Sequence, residues 1–254
     1  DVMDNAIDTI IPKYDVIIPL AALVGAPLCD RDPELAFSIN TNAIHEICKI
    51  KSKNQIILFP MTNSGYGIGD KDMCTEVSPL SPVSTYGISK VEAEKYILDT
   101  ENFICFRLAT VFGISNRLRL DLLVNNFVWR AVKDKFIVLY ESHFRRNYIH
   151  IEDVCRCFNF SIDNFDKMKN QIYNLGLSSA NLTKKELCEK INEHTKNFSI
   201  FESEISSDQD KRDYIVSNAK IESYGFKTKY DLDHGIKELI KVFSYIDTKF
   251  YSNY

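Results

Sequence analysis

The sequence predicts an α/β fold in which a parallel β-sheet carries helices on its faces. Short apolar runs at residues 15–20, 55–59 and 103–108 have the length of buried strands. Two longer segments between them, residues 33–51 and 86–98, have the apolar spacing of helices. Strands that alternate with helices form parallel sheets, because the helical crossover returns the chain in the same direction. Such sheets bind ligands beyond the carboxyl ends of their strands.

Size and composition are those of a globular protein, and the near balance of charges fits a small, uncharged to anionic substrate best. The 254 residues, 45% of them hydrophobic, can bury one large core or two small ones. A net charge of -4 gives no reason to expect a nucleic acid or an anionic membrane as a partner. The longest apolar stretch, residues 16–24, is about half of the roughly 20 residues that span a bilayer. We therefore expect no membrane span.

The seven cysteines are odd in number and scattered, which is typical of reduced thiols. Cys155 and Cys157 lie two apart, but no second cysteine or histidine pair accompanies them at zinc spacing. We expect a cytoplasmic protein without a metal site. The sequence begins at Asp1, without a signal segment, where an α/β pattern is already in progress. This start is typical of a fragment.

The pattern changes in the second half of the chain. Residues 122–132 predict an apolar helix and residues 136–140 a strand, while residues 183–195 and 234–244 predict further helices. We interpret this half as a smaller lobe that covers the substrate, with some strands returning to the main sheet.

Tyr86 and Lys90 are spaced i, i+4, so on a helix they lie on one face, one turn apart. A lysine ammonium beside a phenol favours the phenolate, which makes Tyr86 a candidate general acid or base. This spacing alone also occurs in many helices by chance. A small polar cluster at residues 61–67, including Thr62, follows the strand predicted at residues 55–59. Thr62 can bond a sugar hydroxyl there, or the cluster is simply a turn.

In combination, these motifs resemble the extended short-chain dehydrogenases/reductases. The family includes UDP-glucose 4-epimerase, sugar-nucleotide 4,6-dehydratases and 4-ketoreductases, and the resemblance covers nearly the whole chain. The motifs are, in order, Leu20-Ala-Ala22, Thr62-Asn-Ser-Gly-Tyr-Gly67, Glu76, Pro79, Pro82, Tyr86-Gly-Ile-Ser-Lys90, Glu94, Arg107 to Gly113, Arg146-Asn-Tyr-Ile-His150 and Asp153.

The resemblance implies a Rossmann-like, doubly wound parallel sheet in residues 1–117 that binds NAD, with NADP less favoured. Residues 118–254 then form mainly the substrate-binding lobe, with some segments returning to the sheet. It implies a catalytic triad in which Tyr86 transfers the proton, Lys90 lowers its pKa and binds the nicotinamide ribose, and Thr62 completes the site. The implied cofactor contacts, besides Tyr86 and Lys90, are Asp1, Val2, Leu20, Ala21, Ala22, Asn40 and Val111. For Asn40, a bond to backbone inside the fold is an equal interpretation.

The implied substrate is a nucleotide-diphosphate sugar. Arg146 and Arg212 resemble the arginines that hold its diphosphate, a task suited to the guanidinium fork. Surface pairing of Arg212 with Asp210 or Asp213 is the alternative. The other implied substrate contacts are Asn63, Ser64, Thr110 and Asn126. The resemblance also implies a homodimer that pairs through a helix bundle containing residues 86–98.

The sequence departs from the family pattern at two places. The glycine-rich loop that holds the cofactor pyrophosphate is not in this sequence. We therefore expect a native protein longer by about 60 residues. Asn63 and Ser64 stand where 4,6-dehydratases carry acidic residues, so dehydration is disfavoured. We favour a 4-epimerase over a keto-sugar reductase, and a catalytically silent nucleotide-binding fragment is the alternative of another class.

Overall fold

The computed structural model describes residues 2–3, 6–68, 73–205 and 212–246. Its helices are α1 Ala6–Ile10, α2 Ala26–Arg31, α3 Pro33–Phe37, α4 Ala43–Ile50, α5 Thr85–Leu98, α6 Leu123–Lys133, α7 Ile151–Asp163, α8 Phe165–Met168, α9 Lys184–Thr195, α10 Ala219–Ser223 and α11 Leu232–Tyr245. Its strands are β1 Val16–Ile17, β2 Ile56–Thr62, β3 Phe103–Leu108, β4 Thr110–Phe112, β5 Phe136–Tyr140, β6 Arg145–His150, β7 Gln171–Leu175, β8 Asn181–Thr183 and β9 Ser199–Ser203. A π-helical turn, Ser38–Asn42, joins α3 to α4, and 3-10 turns span Ile11–Lys13 and Asn63–Tyr66.

The main sheet is parallel throughout, in the order β1-β2-β3-β7. Thr62 is in register with Leu108, and Leu108 with Leu175, so the carboxyl ends of three strands finish together. Strand β7 comes from the second half of the chain and extends the sheet beside β3.

Both faces of this sheet are buried, as parallel sheets require. Alternate residues of β2 serve different cores: Leu58 packs in the same core as α7, and Phe59 in the same core as α4 and α5. Helices therefore cover the sheet on both sides. The predicted α/β fold with a Rossmann-like parallel sheet is confirmed.

The first strand is shorter than the apolar run at residues 15–20 predicts. Only Val16 and Ile17 pair with β2. Pro19 has no N–H to contribute to a ladder, and the chain after it leaves the sheet to form the loop before α2. The helix predicted at residues 33–51 is present, but the π-helical turn interrupts it.

Helices α2 and α7 are among those that the sequence pattern does not predict. Helix α2 has six residues and begins after Gly25, whose φ of +99° few other residues adopt. Helix α7 begins directly where strand β6 ends, and the His150 ring nitrogen accepts the N-capping hydrogen bond from the Glu152 N–H at 3.3 Å. Histidine is an unusual N-cap, so no sequence signal marks this boundary.

The second half also forms two small sheets, β4-β6-β8 and β5-β9. Helices α6, α9 and α11 pack around a separate core that includes Val128, Leu187 and Ile236. All seven cysteines carry free thiols. Among the described residues, no helix combines the length and apolar character that crossing a bilayer requires.

Candidate active site

A cavity of about 540 Å³ opens where β2 and β3 end. Leu20 contributes to it from the loop after β1, Thr62 from the end of β2 and Ala109 from the end of β3. This is the edge of a parallel sheet at which ligands bind. The first turns of α5 and the loop after β4 complete the lining with Tyr86 and Arg119, among others.

Three side chains, which we call the tyrosine group, line this cavity: Thr62, Tyr86 and Lys90. Helix α5 starts at Ser84, whose hydroxyl accepts a hydrogen bond from the Gly87 N–H at 3.2 Å. This cap places Tyr86 in the first turn of α5 and Lys90 one turn later. The Thr62 hydroxyl lies close enough to the Tyr86 phenol to lower its pKa. The structure thus brings the three predicted catalytic residues together.

Burial controls the protonation of the tyrosine group. It raises the pKa of the Tyr86 phenol to about 12, although the charge of Arg212 and the hydrogen bond with Thr62 oppose the change. Burial also lowers the pKa of Lys90 to about 8. The family resemblance implies that Lys90 lowers the pKa of Tyr86. In the chain by itself, the phenol has a pKa above its ordinary value.

Lys90 is only 4% exposed and lies within α5, close to the sheet. Its ammonium sits 4.2 Å from the centre of the Phe59 ring, a cation–π contact that partly offsets desolvation. One turn further along α5, Glu94 holds Arg107 of β3 through two hydrogen bonds of 2.6 and 3.0 Å. This buried pair fixes α5 against β3.

Asn40 connects the loop after β1 to helix α5. Its side-chain oxygen accepts from the Leu23 N–H at 2.8 Å, and its amide donates to the Leu23 carbonyl at 2.9 Å and to the Ser89 hydroxyl at 3.1 Å. The π-helical turn places Asn40 where these bonds form, and π turns are frequent at functional sites. Asn40 is not among the cavity-lining residues. Asn40 instead holds the loop whose residues Leu20 and Ala22 line the cavity.

A second set of side chains lines the same cavity, and we call it the arginine group: Arg119, Asp121 and Arg212. Arg212 donates a hydrogen bond to the Ser64 hydroxyl next to Thr62. Arg119 forms a two-bond ion pair with Asp121, in which the Nε to Oδ1 distance is 2.7 Å. Asp213 pairs with Arg145 at 2.9 Å, and Asp210 lies outside the described residues.

Sequence reasoning misses Arg119 and Asp121. They alternate with Leu118 and Leu120, both buried, so the segment has the apolar–polar alternation of an ordinary half-buried chain. The available signal is their position: two opposite charges, spaced i, i+2, in the loop between β4 and α6.

The predicted contact residues divide into those that reach the cavity and those that do not. Leu20, Ala22, Ser64, Thr110 and Val111 line it. Ala21 does not line it, and Val2 lines a separate depression beside α1 with Met3 and Ile7. The prediction for Asp1 falls outside the described residues.

Three predicted substrate contacts lie away from the cavity surface. Arg146 is 2% exposed, donates to the Arg145 carbonyl at 2.9 Å and stacks near the Tyr214 ring. Asn126 bonds the Leu120 carbonyl at 3.1 Å. Asn63 is fully buried, and within the described part of the chain neither of its amide atoms has a hydrogen-bond partner. None of these three lines the cavity in the described chain.

Glu193, His194 and Asp233 form a surface cluster away from the cavity. Their candidate ligand atoms lie within 4.8 Å of one another. Asp233, however, is already bonded by Lys190 at 2.8 Å and by His194 at 2.7 Å. These partners compensate the charge of Asp233, and we assign no metal to the cluster.

Comparison with solved structures identifies the fold. The chain superposes on a UDP-glucose 4-epimerase from Thermotoga maritima, crystallised with UDP-glucose, with a TM-score of 0.78 and 21% identity, covering 96% of this chain and 82% of that one. It superposes on a dTDP-glucose 4,6-dehydratase from Streptomyces venezuelae, crystallised with NAD, with a TM-score of 0.81 and 19% identity, covering 95% and 77%. One fold thus serves both reactions.

Comparison of sequences identifies the family. A protein of Methanocaldococcus jannaschii, provisionally named UDP-glucose 4-epimerase, is 23% identical over 256 aligned positions, which cover 94% of this chain and 81% of that protein. The model of the NAD dependent epimerase/dehydratase family matches residues 1–176. The match includes the tyrosine group and both strands at whose ends the cavity opens. The chain belongs to the NAD dependent epimerase/dehydratase family.

Proposed function

We propose that the protein catalyses the NAD-dependent epimerisation of a nucleotide-diphosphate hexose at C4 through a transient keto sugar. The observation that carries the proposal is that Thr62, Tyr86 and Lys90 line one cavity together with Arg212. A proton-transfer group and a cation for an anionic substrate therefore share one site. The family includes epimerases among its named activities.

Tyr86 is the group that moves the proton. Its phenolic oxygen takes the proton of the C4 hydroxyl when that carbon is oxidised and returns it when the ketone is reduced. Thr62 lies beside the phenol, close enough to lower its pKa. With a pKa near 12, Tyr86 needs added positive charge before it acts as a base near neutral pH. Lys90, whose pKa near 8 leaves it largely protonated at pH 7, supplies part of that charge.

The donor set of the cavity fits a nicotinamide nucleotide. Leu20, Ala22 and Val111 offer apolar surface for a flat ring, while Tyr86 and Lys90 offer polar atoms for a ribose. A bound NAD would supply hydride transfer to and from the sugar carbon, and its oxidised form would add positive charge to the site. Asn40 keeps the Leu23 backbone, and so the loop that carries Leu20 and Ala22, in place.

The anionic end of the substrate has two suitable contacts. Arg212 can bond phosphate oxygens with its guanidinium fork. Helix α6 begins at Leu123. Its N-cap, Leu122, has no side-chain oxygen to cap the helix, and both residues line the cavity. An uncapped helix start of this kind favours a phosphate group.

Epimerisation is favoured over dehydration by the polar groups that follow Thr62. Elimination of water needs an acid and a base at the sugar, and Asn63 and Ser64 supply neither. The Ser64 hydroxyl is engaged with Thr62 at 2.9 Å and with Arg212. The carboxylate of Asp121 is held by Arg119.

The test is turnover of UDP-, dTDP-, GDP- and CDP-hexoses by the purified protein with NAD, followed by proton NMR of the sugar. We expect reversible conversion between the two C4 epimers for one of these nucleotides. Reduction of a keto sugar without reversible epimerisation would replace this proposal with a reductase. Absence of any turnover, with nucleotide still bound, would identify a silent binding protein.

We also propose, from the family resemblance, that two copies pair through α5. Ile88 of α5 and Leu35 of the neighbouring α3 are exposed apolar side chains. Sedimentation equilibrium should give twice the mass of the chain. Ile88→Glu should reduce it to the mass of one chain.

A further inference from the structure

The Arg119–Asp121 pair is a charged feature of the cavity that the proposed reaction does not use. Both residues line the cavity, and the Asp121 side chain is only 2% exposed. Arg119 is close enough to the Tyr86 phenol for its charge to lower the pKa of that group. The pair therefore lies at the reactive end of the cavity, where the sugar binds under the proposed function.

The backbone holds this pair in a defined place. The side chain of Asn125, fully buried, donates to the carbonyls of Arg119 at 2.9 Å and Gly113 at 3.2 Å and accepts from the Gly113 N–H at 3.1 Å. Gly113 has a φ of +121°, and a Cβ there would lie 2.8 Å from the His150 ring. The loop between Gly113 and Asp121 is thus clamped at both ends, and Leu118 and Leu120 anchor it in the core.

The carboxylate of Asp121 would interact differently with the hydroxyls and with the carboxylate of a bound sugar. A carboxylate has about four lone-pair positions, and the Arg119 fork occupies two. The remaining positions can accept hydrogen bonds from sugar hydroxyls. A second carboxylate in the cavity would be repelled, because bringing like charges together in a desolvated site is strongly unfavourable.

We propose that Asp121, held by Arg119, is a specificity-determining residue that accepts hydrogen bonds from the hydroxyls of a neutral hexose and excludes sugars that carry a carboxylate. The inference rests on the proposed function and deepens it. It names the substrate class as nucleotide-linked neutral hexoses rather than hexuronic acids.

The competing arrangement is an exchange of partners, in which Arg119 releases Asp121 and binds the carboxylate of a hexuronic acid. That exchange would leave Asp121 ionised, nearly buried and without its cation. Breaking a buried ion pair in this way is strongly unfavourable. The structure therefore favours the hexose.

The test compares kcat/KM for UDP-glucose and UDP-glucuronate in the native protein and in Asp121→Asn. The amide has nearly the same shape as the carboxylate but no charge. We expect the native protein to prefer UDP-glucose by at least tenfold, and Asp121→Asn to reduce that preference by at least tenfold, since each tenfold change corresponds to about 1.4 kcal/mol. Asp134→Asn, an exposed site near the far end of α6, is the control and should leave the preference unchanged.

Two outcomes overturn the inference alone: native protein that turns over UDP-glucuronate as well as or better than UDP-glucose, or an unchanged preference in Asp121→Asn. The first applies even if the variant does not fold. Turnover of neither sugar, with other nucleotide sugars also inert, overturns the proposed function and this inference with it. If another nucleotide is preferred, its hexose and hexuronate replace the UDP pair.

Discussion

The tyrosine group and the arginine group line one cavity but are held in different ways. Tyr86 and Lys90 are fixed by regular structure: they lie on a capped helix, and Lys90 rests on an aromatic ring of the sheet. Arg119 and Arg212 come from loops and are fixed by polar partners, Asp121 and Ser64. The proton-transfer group that we propose is therefore desolvated by the structure around it, whereas the side chains that we propose to bind anions or hydroxyls keep polar partners.

The largest expected effect comes from removing the phenolic hydroxyl of the tyrosine group. Tyr86→Phe should lower kcat by about 10² to 10⁴-fold, because positioned acid–base groups contribute rate factors of that size. Steady-state kinetics at fixed pH checks it. Tyr96→Phe is the control, since Tyr96 lies on the same helix and stacks on His45 at 4.1 Å outside the cavity. Equal activity of the two variants would contradict our assignment.

Glu94→Ala tests the buried ion pair that holds α5, the helix of Tyr86 and Lys90, against β3. This change leaves the Arg107 guanidinium buried without its carboxylate, and breaking such a pair costs about 3–5 kcal/mol. Glu92→Ala on the same helix removes an exposed pair with Lys95, which should cost about 0.5 kcal/mol or less. Urea unfolding of both variants measures the contrast. Similar losses would show that Glu94 does not stabilise α5 through its ion pair.

The desolvation of the tyrosine group predicts a pH dependence. Below about pH 8, Lys90 is protonated in both states and the folded state bears the full cost of a buried ammonium. Between about pH 8 and 10, the unfolded chain still binds the proton that the folded chain has released, so the free energy of unfolding rises with pH. Lys90→Met lacks this group.

We therefore expect any stability advantage of Lys90→Met over native protein to shrink by roughly 2 kcal/mol between pH 7 and 9.5. Urea unfolding of both proteins at each pH measures it. Other titrating groups are common to the two proteins and cancel. A difference that stays constant with pH would mean that the Lys90 ammonium is not desolvated.

The smallest expected effect concerns Asn40, which joins the loop after β1 to α5. Asn40→Ala leaves the Leu23 N–H and carbonyl without their side-chain partner, which should cost about 1–2 kcal/mol of stability. It should also weaken NAD binding, because Leu20 and Ala22 lose their anchor. Calorimetry of NAD binding and urea unfolding measure the two effects. Asn42→Ala, exposed on the same turn, is the control and should change neither.

The sequence predicts the regular parts of the fold well, and the physical reason is visible in the strands. The apolar run at residues 103–108 predicts β3 with the bounds it has, because every residue but the last is buried in the sheet. The run at residues 15–20 predicts too long a strand, because only Val16 and Ile17 pair in the sheet and Leu20, beyond Pro19, is exposed and lines the cavity. Helix α7 is missed because its N-cap, His150, belongs to the strand before it.

The residues of the candidate site also differ in how well the sequence predicts them. Tyr86, Lys90 and Thr62 are found from spacing and order along the chain, since a helix turn and a strand end bring them together. Arg119 and Asp121 are not, because their approach to the cavity depends on the loop that Gly113 and Asn125 hold. Arg146 carries a family motif but is buried away from the cavity surface in the described chain. Position in a motif does not by itself fix where a long side chain points.

The contact between Arg212 and Ser64 joins residues that are 148 positions apart. A growing chain on the ribosome therefore emerges with Ser64, the end of β2 and the whole of α5 long before Arg212 is synthesised. Until then the tyrosine group exists beside an incomplete binding surface. The arginine group is therefore completed only after most of this chain has been translated.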